Sequence, residues 1–317
     1  MSESVHIAVM VEETIRLLDP KPGDVVIDAT LGGGTHTAHL LDAVGPTGRV
    51  ISFDVDRRAL DRARERFAPL KDRWLGIESN FRHLANKLSE QGIGNVDRIL
   101  ADLGYSSDEL ADPAVGLSFL KEGPLDMRFG PQANEDGLTA EIIVNSWPET
   151  DIADTIFNFG EERQSRKIAG AIVRARRLER IVTTTQLADL IRATLGKGYE
   201  KGRIDPSTRT FQAFRIAVND ELQSLKDFLK DSVSVLKSGG RVGIISFHSL
   251  EDRIVKEAFR DTPDLKAITK KPVIASDQEN AMNPRARSAK LRVAEKLGDP
   301  SQKNKPKQKY DNSRFRN

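Results

Sequence analysis

The sequence predicts an α/β protein in which a parallel, helix-wrapped sheet is interrupted by an inserted all-α domain. Three observations predict it. From Asp24 to Asp102 short apolar runs alternate with helical patterns, the signature of a parallel sheet wound by right-handed crossovers. From about Ser106 to Ser207 the alternation stops, and no convincing strand is found. Beyond Thr210 it resumes, so the interruption lies inside one sheet domain.

The elements follow in order. "DVVIDA" is a strand, a helix runs from about Thr35 to Ala43, "RVISFD" is the second strand and a helix covers Arg57 to Phe67. "WLGIES", a helix over Phe81 to Gln91, and "VDRILAD" complete residues 1–105. The insertion, residues 106–207, opens with the turn-rich "LADPAVGLSFLKEGPLDMRFGPQANEDG" and continues in helices, notably Glu161 to Arg180 and Thr184 to Thr194. Residues 208–298 return to the sheet domain. They begin with a long helix from about Thr210 to Leu236, then "KSGG", whose glycines suit a helix end. The strand "RVGIISF" follows, and "DLKAITK" and "SAKLRVAEK" read as two late strands paired antiparallel at one sheet edge. Residues 299–317 hold six Lys or Arg against two Asp and almost no aliphatics, the composition of a disordered basic tail. It is either a solvated tail or a source of sequence-independent, salt-sensitive phosphate affinity.

Composition narrows the function. At 317 residues and 38% hydrophobic content the chain can bury a sizeable core in roughly two domains. The absence of cysteine excludes a disulfide framework, a thiolate zinc site and a cysteine nucleophile. Its longest apolar runs fall far short of the ~20 residues that span a bilayer. The N-terminal "MSESVHIAVMVEE" lacks a basic region before an apolar one, so an unprocessed cytoplasmic protein is expected. The net charge of +2 is too small to argue for nucleic acid, but the charge is unevenly distributed.

In "VVIDATLGGGTH" a buried strand ends at Asp28 and gives way to Gly32, Gly33 and Gly34 just before a helix, where glycines let a ligand approach the backbone. The next strand ends in Asp54, about twenty residues on, where a carboxylate can take both hydroxyls of an adenosine ribose. NAD and S-adenosyl-L-methionine share this arrangement. A dinucleotide fingerprint wants Gly-x-Gly-x-x-Gly, however, and here the glycines are contiguous and followed by Thr35, His36 and Thr37, which disfavours pyrophosphate. Asp102, ending the fourth strand, lies beside the crevice where such folds bind ligands. Phe81, in "ESNF", either packs on an adenine face or is a core aromatic opening a helix.

The stretches "DATLGGGTH", "DLGYSSDEL", "GLSFLKEGPLDMRF", "FGEER", "TRTFQAFRIAVNDEL", "SFHSLEDRIVK" and "NPRARSAKLRVAE", taken in this order, are highly specific. The chain resembles the bacterial ribosomal RNA small subunit methyltransferase H family from about His6 to Glu295. The resemblance implies a class I S-adenosyl-L-methionine-dependent methyltransferase with a Rossmann-like core, acting at N4 of a cytidine in the decoding region of 16S rRNA in the small ribosomal subunit. It implies cofactor contacts by Gly34, Thr35 and His36, a ribose contact by Asp54, and Phe81 and Asp102 flanking the adenine and methionine parts. The family usually has Gly-Gly-His where this chain has Gly34-Thr35-His36, and Gln where it has Glu109. Threonine fits if that position does not need positive φ, and Glu109 turns an amide donor into an acceptor at a further cofactor contact.

A cytosine N4 amine is a poor nucleophile, because its lone pair is delocalised into the ring. Catalysis must hold it in line with a sulfonium methyl and accept hydrogen bonds from it. Many amino-methyltransferases place an Asn/Asp/Ser-Pro-Pro-aromatic sequence after the fourth strand; here "DLGYSS" stands there. Asp102 is the candidate acceptor, with Tyr105 and Ser106 beside it, and Tyr105 either stacks on the base or packs in the loop. "SFHSLEDR" lacks the Gly-x-Ser-x-Gly of an α/β hydrolase. Without cysteine or a helical His-Glu-x-x-His it is a poor metal site, and no metal is expected. It reads as the end of another central strand, placing Ser246, His248 and Ser249 on the lip of the pocket, where they contact a flipped cytidine or neighbouring phosphates. Ser249 with Asp252 can equally cap the next helix. Arg128, Arg209, Arg215, Arg285 and Arg287 lie in the family-like motifs and are the candidate RNA contacts. "RQSRKIAGAIVRARRLER" is either a second basic surface or a solvated helix face. The rival readings are methylation of another RNA or DNA amino group, an NAD-dependent oxidoreductase, and a non-catalytic RNA-binding module.

Overall fold

A computed structural model describes residues 8–106, 110, 112–130, 134, 136–196 and 198–298; the tail expected from residue 299 lies outside them. Four parallel strands, β1 (Val25–Asp28), β2 (Arg49–Asp54), β3 (Trp74–Glu78) and β4 (Val96–Asp102), are joined through α2 (Thr35–Val44), α3 (Arg57–Arg66) and α4 (Leu84–Glu90), with α1 (Val11–Leu18) leading into β1. β5 (Leu236–Ser246) adds parallel to β4, and β8 (Lys290–Lys296) adds antiparallel to β5. With β6 (Leu265–Ala267) the order is β3-β2-β1-β4-β5-β8-β6, and β7 (Val273–Ile274) also pairs with β8. The connections run outward in opposite directions from β1 and β4. Ligands in open α/β sheets bind at that switch, outside the carboxyl ends of the strands.

Alternation along each strand sends successive side chains to opposite faces, and both faces are covered. On one, Ile27, Ile51, Phe53 and Ile99 pack with Leu225, Phe228 and Leu229 of α10 (Glu221–Val235). On the other, Val26, Val50 and Leu100 pack with Leu40, Leu41 and Leu60.

A separate core belongs to the insertion, where α5 (Ala140–Ser146), α6 (Glu149–Gly160), α7 (Ser165–Arg176) and α8 (Thr184–Leu195) bury Ile143, Ile156, Ile172 and Leu187 against α9 (Thr208–Asn219). Among the described residues it has no strand, only a bridge between Pro124 and Thr183.

Three expectations are corrected. The helix expected over 161–180 is shorter, because Glu161 takes a left-handed conformation (φ 50°) as the C-cap of α6 and α7 runs only from Ser165 to Arg176. The helix expected over 210–236 breaks at Asp220, which is also left-handed (φ 47°). Phe211, Phe214 and Val218 before the break belong to the helical core, whereas Leu225 and Phe228 after it belong to the sheet core. The boundary expected at Ser207 therefore moves to Asp220. "KSGG" is not a helix stop: α10 ends at Val235, and Lys237–Gly240 enter β5, where the pairing with β4 shifts register between Val96 and Arg98. The antiparallel pair expected at one sheet edge is found there, β8 with β6, and β8 joins it to β5.

Candidate active site

Between the carboxyl ends of the strands and the helical domain lies an open cavity of about 1080 Å³ counting its mouth. Val9, Thr30, Gly32, Asp54, Asn80 and Phe81 line one part of it, and Asp102, Tyr105, Ser106, Phe129, Glu221, Glu251 and Arg285 another. The sequence brings these together because each sits just past a strand or at a junction between the two domains.

The loop after β1 is shaped by two glycines in left-handed conformations. Gly32 (φ 49°) turns its N–H onto Oδ2 of Asp54 at 2.9 Å. Gly34 (φ 73°) precedes α2, and a Cβ there would meet the Phe67 ring at 3.4 Å. Thr35 follows as the first residue of α2 with no positive φ, so threonine fits. Gly32 lines the cavity, whereas Gly34 and Thr35 do not, and His36 is buried within α2.

Asp54 ends β2. Its Oδ1 accepts from Asp56 N–H at 2.8 Å, which with the Gly32 bond leaves lone pairs on both oxygens for a diol. Burial raises its pKa to about 6 despite those two N–H groups. Phe81 packs edge-on against Phe228, with ring centroids 5.1 Å apart, and also lines the cavity. Both readings of Phe81 are thus compatible with its place.

Asp102 ends β4, its N–H bonded to Thr30 Oγ1 at 2.7 Å. Its Oδ1 is buried without a hydrogen-bond partner, and its Oδ2 lies 3.6 Å from His36 Nδ1. Burial, then the nearby Asp28 and Glu251 carboxylates, raise the pKa to about 8, with Arg285 opposing. Asp28, at the end of β1, is buried too and raised to about 7, although Thr37 Oγ1 donates to it at 2.6 Å.

Tyr105 lies between two guanidinium groups, 5.0 Å from Arg215 and 5.1 Å from Arg285, and its carbonyl accepts from Arg285 Nη2. Arg215 is held by both oxygens of Glu221, at 2.7 and 2.9 Å. Burial works against its charge, but the Glu221 carboxylate outweighs this and holds its pKa above the ordinary value. Ser106 is buried on the cavity wall.

Other candidates fall outside this group. Ser246 is buried at the end of β5, donating to the Lys290 carbonyl at 3.4 Å. His248, not Ser249, caps α11 (Ser249–Asp261): its ring accepts from Glu251 N–H at 3.4 Å while Glu251 reaches back to the N–H groups of Phe247 and His248. The capping box expected from Ser249 and Asp252 is shifted by one residue. Ser249 instead donates to Glu161 of the helical domain, and Asp252 pairs with Arg292 at 2.6 Å. Arg128 is paired with Asp126 at 2.7 Å, Arg209 with Glu200 at 3.0 Å, and Arg287 is exposed. Glu109 lies outside the described residues.

Sequence reasoning missed Glu221, Glu251 and Asn219. Each lies in a quoted motif, but its role depends on the turn at Asp220 or the cap at His248. Glu221, His248 and Glu251 also bring ligand atoms within 4.8 Å of one another, but Arg215 already takes both Glu221 oxygens and Glu251 is spent on the cap.

A model of the MraW methylase family matches residues 3–297. The chain belongs to that family. Among curated relatives, ribosomal RNA small subunit methyltransferase H of Geotalea uraniireducens is 45% identical over 94% of this chain and 100% of its own length. The protein of the same name from Desulfotalea psychrophila is 44% identical over 93% and 99%. As an MraW methylase the chain is a methyltransferase with S-adenosyl-L-methionine as methyl donor, which closes the oxidoreductase and binding-module readings. The residues present fit that donor: a ribose-type carboxylate at Asp54, an aromatic wall at Phe81, and an orphaned carboxylate oxygen at Asp102 suited to a cationic ligand.

Proposed function

We propose that this MraW methylase modifies the N4 amine of a cytidine in 16S rRNA, in the decoding region of the small ribosomal subunit. The carrying observation is Asp102 Oδ1, a buried acceptor with no partner in a cavity shared by the cofactor loop and the helical domain. The curated relatives' name supports the RNA.

An exocyclic amine conjugated to its ring becomes nucleophilic when an acceptor binds its N–H and draws electron density back onto nitrogen. Asp102 is placed to do this at the end of β4. Bound in the cavity, the donor supplies a sulfonium methyl open to in-line attack. Tyr105, held by Arg215 and Arg285, lines the wall beside the base, and Phe129 and Phe247 help to exclude water. The flipped nucleotide enters from the side of the helical domain, where Arg163, Lys167 and Arg174 are exposed.

The test is transfer from labelled S-adenosyl-L-methionine to small subunits lacking their own N4 mark, with nucleoside analysis of the product. Label on N4-methylcytidine, reduced about 10²–10⁴-fold by Asp102→Ala, is the expected outcome. Label on another base, or only on DNA or other RNA, sinks the substrate assignment.

A further inference from the structure

We infer that His36 is a proton-relay partner of Asp102, receiving at Nδ1 the proton that the substrate amine gives up. This rests on the function proposed above. The N-terminal segment sets the orientation of the ring. Met10 takes a left-handed conformation (φ 52°), is fully buried, and donates its N–H to Glu279 Oε1 of α12 (Asp277–Met282) at 2.7 Å. This pins the preceding carbonyl, that of Val9, at 3.1 Å from His36 Nε2.

A carbonyl only accepts, so Nε2 must carry the hydrogen, and in the neutral ring Nδ1 is then the basic nitrogen. Nδ1 faces Asp102 Oδ2 at 3.6 Å, with the two side chains 5% and 11% exposed. A ring lone pair facing an ionised carboxylate is unfavourable; a shared proton resolves it. The carboxyl group thus has two differently equipped oxygens, Oδ1 without a partner in the wall of the cavity and Oδ2 toward a base held in one tautomer. Asp102 also faces Asp28 from β1, Glu251 from α11 and Arg285 from the turn before β8.

The amine lone pair forms the N–CH3 bond as the S–CH3 bond breaks, and the electron pair of the broken bond goes to sulfur. One N4 proton passes to Asp102 Oδ1 while the proton shared at Asp102 Oδ2 moves fully onto His36 Nδ1. The resulting imidazolium donates to Val9 O and to Asp102 Oδ2, Asp102 being protonated at Oδ1, and one proton leaves the pair to water when product leaves, which restores the shared proton at Oδ2. His36 acts through Asp102 and is a positioning residue; Asp102 is the group that meets the substrate.

Two measurements test this. The first needs no cofactor: nitrogen-15 NMR of the histidine rings, with His36 assigned by the signal missing from His36→Gln. The expected result is the Nε2–H tautomer, with a titration midpoint that moves down in Asp102→Asn. An Nδ1–H tautomer overturns the inference; if His36→Gln misfolds, replacing His6, His39, His83 and His248 in turn assigns the His36 signal by elimination. The second is the subunit methylation assay across pH. Glutamine keeps a donor for Val9 O but cannot take up a proton. The relay requires kcat to fall about 10–100-fold, with loss of the wild-type acid limb and KM values unchanged. Wild-type kcat and pH profile in His36→Gln overturn the relay, whereas wild-type protein that methylates no cytidine overturns the functional reading beneath it.

Discussion

At the scale of single residues the site is a set of buried acids held away from their ordinary chemistry. Asp102 is pushed to about 8, so between its unfolded value and that pH the folded protein binds more protons than the unfolded chain. Its contribution to stability therefore declines as pH rises from about 4 to about 8 and is level above. Asp102→Asn should raise the melting temperature of the cofactor-free protein, and by more at pH 8 than at pH 5. Calorimetry at the two pH values checks the sign. Asp54 and Asp102 were legible in the sequence because each ends an apolar run, where an acid has no packing reason to be. Glu221 and Glu251 were not, because an acid in the first turn of a helix reads as an ordinary dipole partner. His36 showed as a cofactor contact implied by the resemblance, not as a partner of Asp102; its place against Asp102 depends on Val9, from a segment with no motif.

At the scale of elements, the fold depends on non-glycine residues in left-handed conformations, which propensity does not reveal. The helix expected over 210–236 carries no glycine or proline at its break and nothing local marks Asp220, whereas Gly160 stands just before Glu161. Asn219, just before one break, clamps the segment over the cavity: its Oδ1 accepts from Phe129 N–H at 2.9 Å and its Nδ2 donates to Met127 O at 2.8 Å. Met127 is fully buried at φ 65°, so the clamp holds a strained turn that places Phe129 on the cavity wall. Asn219→Ala leaves both backbone groups unpaired and should cost about 1–3 kcal/mol. Denaturant melts read that loss, and a raised KM for the cofactor or RNA should accompany it. Glu161 forms the opposite brace, tying the helical domain to Ser249 and Arg253 of α11. Glu161→Gly removes the ties and relieves the left-handed strain, so stability should change little while the geometry of the cleft loosens; kcat should fall more than the melting temperature.

For the molecule as a whole, the alternating pattern made the sheet, its inserted partner, the position of the cleft and the antiparallel edge pair readable from sequence, whereas the pairing of β8 with β5 and β7 was not. Charge acts at this scale as well. Arg163, Lys167 and Arg174 are exposed on or beside α7 and do not line the cavity. Replacing the three with Glu should weaken RNA binding and flatten its dependence on salt, by up to about 0.7–0.9 in log–log slope for each phosphate that is no longer neutralised, with cofactor affinity unchanged. Filter binding over a salt series measures it.

The insertion also governs how the chain reaches its native state. The central sheet is completed only when Asp102 finds Ile245 across the whole helical domain. Closing so long a stretch as flexible chain costs entropy, whereas a stretch already condensed on its own core brings its ends together in advance. The helical domain is thus a scaffold for assembly as well as one wall of the cavity. A core lesion such as Ile172→Ala, far from the cofactor, should slow refolding of the sheet, because the pairing that seals the active site waits for it.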